Sequence, residues 1–72
     1  MKPSEKEVFE LFLVNQIVTA PIAELLTGRN ITTCKRALLE LKEMELITLA
    51  GGKAGYYIPT EKGENELKKI EL

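Results

Sequence analysis

The chain has 72 residues, of which 44% are hydrophobic and 29% charged, and its formal net charge is −1. This length allows one domain with a modest core, covering residues 1–72, and the mixture of opposite charges argues against disorder. The absence of histidine and the single cysteine exclude an internal disulfide, and also a zinc site of histidine and cysteine ligands within one chain.

The first predicted helix begins at "SEKE" and continues through "VFELFLV" to about Asn15. Ser4 is the expected N-cap, and Glu7 would complete a capping box with it. Because this helix is apolar on nearly every side, it needs a second helix or a second subunit to cover it.

The second predicted helix is "TAPIAELLTG". Thr19 is the expected cap, Pro21 suits the first turn, and Gly28 suits a left-handed end. Three apolar side chains are predicted to face inward, namely Ile22, Leu25 and Leu26.

The third predicted helix starts near Asn30 or Thr32 and ends by Glu45. Its apolar spacing of three and four predicts a core face of Cys34, Ala37, Leu38 and Leu41. The opposite side carries Thr32, Thr33, Lys35, Arg36 and Leu39. Only a few residues after Gly28 separate this helix from the second, which is typical of a helix-turn-helix.

After the third helix, the helical spacing of apolar residues gives way to short β-prone runs. "LITLA" and "GYYIP", on either side of "GGKA", predict a β-hairpin whose second strand ends at Pro59. At most one of Tyr56 and Tyr57 should face inward, because adjacent strand residues point to opposite faces. Thr60 should cap a last helix, in which Gly63 either permits close packing or delays the start by one turn.

The order of these elements resembles the winged helix-turn-helix domains of prokaryotic transcription regulators. "TCKRALLELKEMELI" fits their third helix, and "YYIPTEKGENEL" is similar to the tail of the MarR-like and PadR-like groups. The resemblance implies an α+β fold with three helices, a two-stranded β-hairpin wing and a C-terminal helix. Two positions depart from the family pattern. Leu39 is apolar where a polar residue is usual, and Glu45 replaces a glycine, so the helix should end in another conformation.

The resemblance also implies a homodimeric regulator, repressor-like in its action, that binds double-stranded DNA. Carried over by position, the residues at the groove would be Thr32, Thr33, Lys35 and Arg36, with Lys53 at the wing tip. The charges agree with this, because residues 28–36 hold Arg29, Lys35 and Arg36 but no acid. We expect phosphate contacts from Arg29 and Lys53, and a guanine contact from Arg36. The simpler interpretation is that these cations form a solvated surface.

Other interpretations stay open at this point. The expected dimer interface is Phe9, Leu13, Leu67 and Ile70, although the first and last helices could instead pack together within one subunit. An alternative to DNA binding is a protein-interaction winged helix within a larger assembly, favoured by Leu39 and the acidic net charge.

Cys34 could be a thiol sensor, but its place in the core stripe favours a buried hydrophobe. Catalysis has no evident residues to carry it. We expect no cofactor, metal or small-molecule ligand and no association with a membrane. We expect a cytoplasmic location, since the sequence has no apolar signal segment and only one cysteine.

Overall fold

The computed structural model describes residues 1–71, with Glu71 described by its backbone alone. It has an α+β fold with four α-helices and a two-stranded antiparallel sheet. The elements are α1 (Pro3–Glu10), a 3-10 turn (Leu11–Leu13), α2 (Ala20–Thr27), α3 (Ile31–Glu43), β1 (Ile47–Leu49), a second 3-10 turn (Ala50–Gly52), β2 (Tyr57–Pro59) and α4 (Glu61–Glu71). The predicted order of three helices, a hairpin and a last helix is therefore confirmed.

The start of α1 differs from the prediction. The N-cap is Lys2, and its backbone N–H donates to the Glu5 carboxylate over 3.2 Å. Pro3 takes the first helical position, where its fixed φ suits the helix and its missing N–H loses no bond. Ser4 is thus inside the helix and is not its cap. The helix also ends earlier than predicted, since a 3-10 turn follows Glu10.

The ends of α2 match the prediction, but its orientation does not. Thr19 Oγ1 accepts the Ile22 N–H over 3.3 Å, and Gly28 is left-handed with a φ of 77°. The helix packs on α3, and its buried residues are Ala20 and Ala23. The large side chains predicted to face inward are instead exposed, namely Ile22, Leu25 and Leu26. Small residues at a helix contact let two helices lie close together, which explains why alanines take the inner face.

The core face of α3 is confirmed, because Cys34, Ala37, Leu38 and Leu41 are all buried. Asn30 is the N-cap, and its side-chain Oδ1 accepts the Thr33 N–H over 2.9 Å. The expectation that Glu45 avoids the glycine conformation was wrong, because its φ is 63°. The Leu46 N–H donates to the Leu41 carbonyl and the Glu45 N–H to the Lys42 carbonyl. This pair of bonds is a Schellman motif, which requires a left-handed residue at the position of Glu45.

The β-hairpin is confirmed, with Ile47 opposite Pro59 and Leu49 opposite Tyr57. A third extended segment borders β2, because Val18 and Tyr57 exchange two backbone hydrogen bonds of 3.0 Å. Tyr57 is buried and Tyr56 is exposed, as expected for adjacent strand residues. The segment before α2 is therefore tied to the hairpin.

The first turn of α4 joins the hairpin to the end of α3. Thr60 Oγ1 accepts the Gly63 N–H over 3.0 Å and donates to the Glu45 carbonyl over 2.6 Å. Gly63 is buried against the backbone of Leu46, with no room for a side chain. Of the two explanations for this glycine, close packing is therefore the correct one.

One hydrophobic core connects the helices and the sheet. Phe9 is fully buried and Leu67 nearly so, while Leu13 is partly buried against the same core. Of the four residues predicted at a dimer interface, Ile70 is the most accessible, with 37% of its surface exposed. The first and last helices thus bury most of this apolar surface within one chain. No helix in residues 1–71 combines the length and the hydrophobicity needed to cross a bilayer.

Candidate nucleic-acid interface

The residues predicted to contact DNA on α3 lie together on one side of that helix. Spaced by three and four positions, they form a stripe opposite the buried face. We call this stripe the α3 outer face, and it consists of Thr32, Lys35, Arg36 and Leu39, all of them exposed. Thr33 belongs to the stripe only in part, because it is half-buried. The structure therefore brings three of the four predicted groove residues onto one accessible surface.

Lys35 and Arg36 have no acidic partner among the side chains that the structure describes. The ion pairs found there join Lys2 to Glu40, Arg29 to Glu7 and Lys69 to Glu66. The two cations also lie close to the N-terminal end of α3, where the helix dipole adds partial positive charge. This end of α3 is consequently suited to an anionic ligand.

Glu40 follows Arg36 by one turn, and its carboxylate is paired with Lys2, the N-cap of α1. The Lys2 ammonium donates to its carboxylate over 3.0 Å. This hydrogen bond, followed by one from the neighbouring Glu5 carboxyl, holds the pKa of Glu40 below its ordinary value of 4.5. Because Lys2 pairs with Glu40, this carboxylate forms no ion pair with Arg36, although the charge of Arg36 also helps to lower the Glu40 pKa.

Arg29 has a partner that was not predicted. Its Nε and Nη2 both donate to one carboxylate oxygen of Glu7, over 3.3 Å and 3.1 Å. Both side chains are partly exposed. Glu7 therefore pairs with Arg29 across the fold and does not form the predicted capping box. The Nη1 side of the guanidinium is outside this pair, so the phosphate contact of Arg29 stays a prediction.

Lys53 lies at the exposed tip of the hairpin. Its ammonium is 4.5 Å from the centre of the Tyr56 ring, in the geometry of a cation–π interaction. The tip is closed by the Lys53 N–H, which donates to the Ala50 carbonyl, and by the Tyr56 N–H, which donates to the Lys53 carbonyl. Lys53 thus contacts the outward-facing Tyr56 within the tip.

Cys34 lies near the start of α3, and its side chain is fully buried. Its Sγ lies 3.9 Å from the Thr27 hydroxyl and 3.7 Å from the Arg29 carbonyl. These contacts agree with the interpretation of Cys34 as a small core residue, since a thiol enclosed in this way is inaccessible to an oxidant.

An open depression of about 400 Å³ lies away from the α3 outer face, where the end of α3 meets β1 and α4. Its lining carries both signs of charge, from Lys42 and Lys62 and from Glu45 and Glu61. The Lys62 ammonium is already bonded to the Met44 carbonyl over 3.1 Å. This mixed lining favours no particular ligand.

No family model, curated protein or solved structure matches this chain. The functional argument therefore rests on the geometry of the α3 outer face and of the hairpin tip.

Proposed function

We propose that this chain is a winged helix-turn-helix domain that binds duplex DNA and regulates transcription as a homodimer. The observation that carries the proposal is the start of α3, where Lys35 and Arg36 are exposed and without an acidic partner among the described side chains. In this proposal α2 and α3 form the helix-turn-helix, and the hairpin tip, residues 50–56, is the wing.

The chemistry of the α3 outer face supports the proposal. Recognition helices of this type lie in the major groove with their N-terminal residues against the base edges. Arg36 can donate two hydrogen bonds to the O6 and N7 atoms of a guanine, and the Thr32 hydroxyl can bond to several bases. Lys35 would lie at the groove beside Arg36, and Lys53 would contact phosphates, with Arg29 as a further donor from its Nη1 side.

A homodimer would compensate for the few cations that each chain offers. Two copies double the number of phosphate contacts and read two half-sites about 34 Å apart. Two residues of the predicted dimer interface remain accessible to solvent, namely Ile70 on α4 and the partly buried Leu13. A dimer on an operator would act by steric exclusion of the polymerase.

The proposal is tested by fluorescence anisotropy on randomised duplex DNA over a series of salt concentrations, followed by selection of a preferred site. We expect the logarithm of the affinity to fall linearly with the logarithm of the salt concentration, by about 0.9 per neutralised phosphate. At the selected site, Arg36→Ala should weaken binding by about 1–3 kcal/mol. Lys68→Ala, which removes an exposed cation from α4, is the matched control and should change little.

A second candidate function, a protein-interaction module, is favoured by α2. Three large apolar side chains are exposed on this helix, and Leu25 exposes 81% of its surface. Absence of DNA binding even at low salt would exclude the first proposal and favour this one. Equal effects of Arg36→Ala and Lys68→Ala would show that DNA binding, if present, does not use the α3 outer face.

A further inference from the structure

Leu39 is the one apolar member of the α3 outer face. It is 53% exposed, whereas its neighbours Leu38 and Leu41 are buried in the core. It lies one helical turn beyond Lys35 and Arg36 on the same side of the helix. Core packing therefore does not account for a leucine at this position.

The only apolar group that base pairs present in the major groove is the C5 methyl of thymine. We propose that Leu39 contacts this methyl group and thereby makes the site selective for thymine. This inference rests on the proposed binding of duplex DNA by the α3 outer face. It assigns to Leu39 a role in specificity, beside the guanine contact of Arg36.

The helix geometry predicts where the thymine should lie. Leu39 is three residues after Arg36, which places it about 4.5 Å farther along the helix axis at ~1.5 Å per residue. Base pairs in duplex DNA are stacked about 3.4 Å apart. For a helix that lies along the groove, the thymine should therefore lie one or two base pairs from the guanine that Arg36 reads.

The charges around Leu39 agree with a position at the edge of the DNA contact. On the N-terminal side are the cations Lys35 and Arg36, and on the C-terminal side are the exposed cation Lys42 and, next to it, the exposed acid Glu43. An acid is unfavourable close to phosphates, so the contact should end before Glu43. Leu39 is the last residue of the stripe before that acid.

The test uses duplexes selected from a randomised pool, prepared with thymine and then with deoxyuridine at one position at a time. Deoxyuridine lacks only the methyl group, and the protein is unchanged. At one position we expect the change from thymine to deoxyuridine to weaken wild-type binding about fourfold. This corresponds to ~0.8 kcal/mol, the free energy of burying one methylene-sized group. For Leu39→Ala, the thymine and deoxyuridine duplexes should bind equally well.

Leu25→Ala is the matched control, since it shortens an exposed leucine outside the α3 outer face and should retain the full preference for thymine. If the wild type binds both duplexes equally at every position, or if Leu39→Ala keeps the preference, the inference is overturned while salt-dependent DNA binding still stands. If no duplex is bound at low salt, the proposed function fails and the inference with it. Should Leu39→Ala fail to fold, Leu39→Gln, whose side chain is of similar length but has a polar end, takes its place in the same comparison and should likewise lose the preference.

Discussion

Gly63 in the first turn of α4 packs directly against the backbone carbonyl of Leu46. A Cβ at this position would overlap the Leu46 carbonyl group, which is backbone and cannot rotate away. Thr60 reinforces the same junction through its bond to the Glu45 carbonyl. The end of α3, the start of β1 and the start of α4 are therefore held together by close backbone contact.

Replacement of Gly63 by alanine should destabilise the fold, although alanine normally favours a helix. We expect a loss of about 1–3 kcal/mol in the free energy of unfolding, because the new methyl group must displace backbone. Urea denaturation measures this change. Asn65→Ala, at an exposed position of the same helix, is the control and should change stability by less than about 0.5 kcal/mol. Similar stability of the two variants would contradict the packing argument.

Replacement of Glu45 by glycine should stabilise the fold. The left-handed conformation costs an L-residue about 1–2 kcal/mol, and glycine adopts it without strain but loses more entropy on folding. We expect a net gain of up to about 1 kcal/mol, measured by thermal or urea denaturation. Glu45→Ala keeps the Cβ and removes the same charge, so an equal gain from alanine would attribute the effect to charge.

The ion pair between Lys2 and Glu40 should be visible in a titration of Glu40. Because its pKa is lowered in the folded state, the pair contributes stability above the ordinary value of 4.5, and that contribution is lost as the pH falls through the lowered value. Lys2→Gln should move the pKa of Glu40 upward, as followed by NMR of its carboxyl carbon. Lys6→Gln, which removes an exposed cation from α1, is the control and should leave the pKa of Glu40 unchanged.

Neutralisation of Glu7 should strengthen DNA binding if Arg29 contacts a phosphate. Glu7→Gln removes the charge that now holds the guanidinium and one source of repulsion for DNA. We expect tighter binding and a steeper dependence on salt, by about one phosphate contact. In the double variant with Arg29→Gln the steeper dependence should disappear. If the steeper dependence persists in the double variant, Arg29 is not a phosphate ligand.

Ile70→Glu should dissociate a homodimer that uses α4. Sedimentation equilibrium of the variant should then give the mass of one chain, while circular dichroism remains that of the folded protein, because Ile70 is partly exposed. Leu25→Glu places the same change on the exposed side of α2. Dissociation by the second variant and not by the first would assign the interface to α2 instead.

Local chemistry in the sequence predicted several elements correctly. The predicted caps at Thr19 and Thr60 each depend on a side chain and an N–H only a few residues away, and Asn30 was one of the two starts expected for α3. The regular spacing of α3 likewise predicted both its buried face and its outer face. These features need no knowledge of the rest of the fold.

Two of the features that were missed depend on contacts distant in sequence. Glu7 and Arg29 are 22 residues apart, and Lys2 and Glu40 are 38 residues apart, so neither pair follows from a local pattern. The inner side of α2 was mistaken because size and hydrophobicity favoured its leucines, whereas close packing selected the alanines. At Glu45 the hydrogen bonds of the helix end outweigh the local preference of the residue.

The two hydrogen bonds between Val18 and Tyr57 connect the segment that leads into α2 with the base of the hairpin. These two segments are thus joined by backbone bonds within the chain itself. A macromolecule that contacts α3 and the hairpin tip together would meet a pre-organised surface, and little conformational entropy of this chain would be lost on binding. The adjustment of shape, and its energetic cost, would fall on the partner.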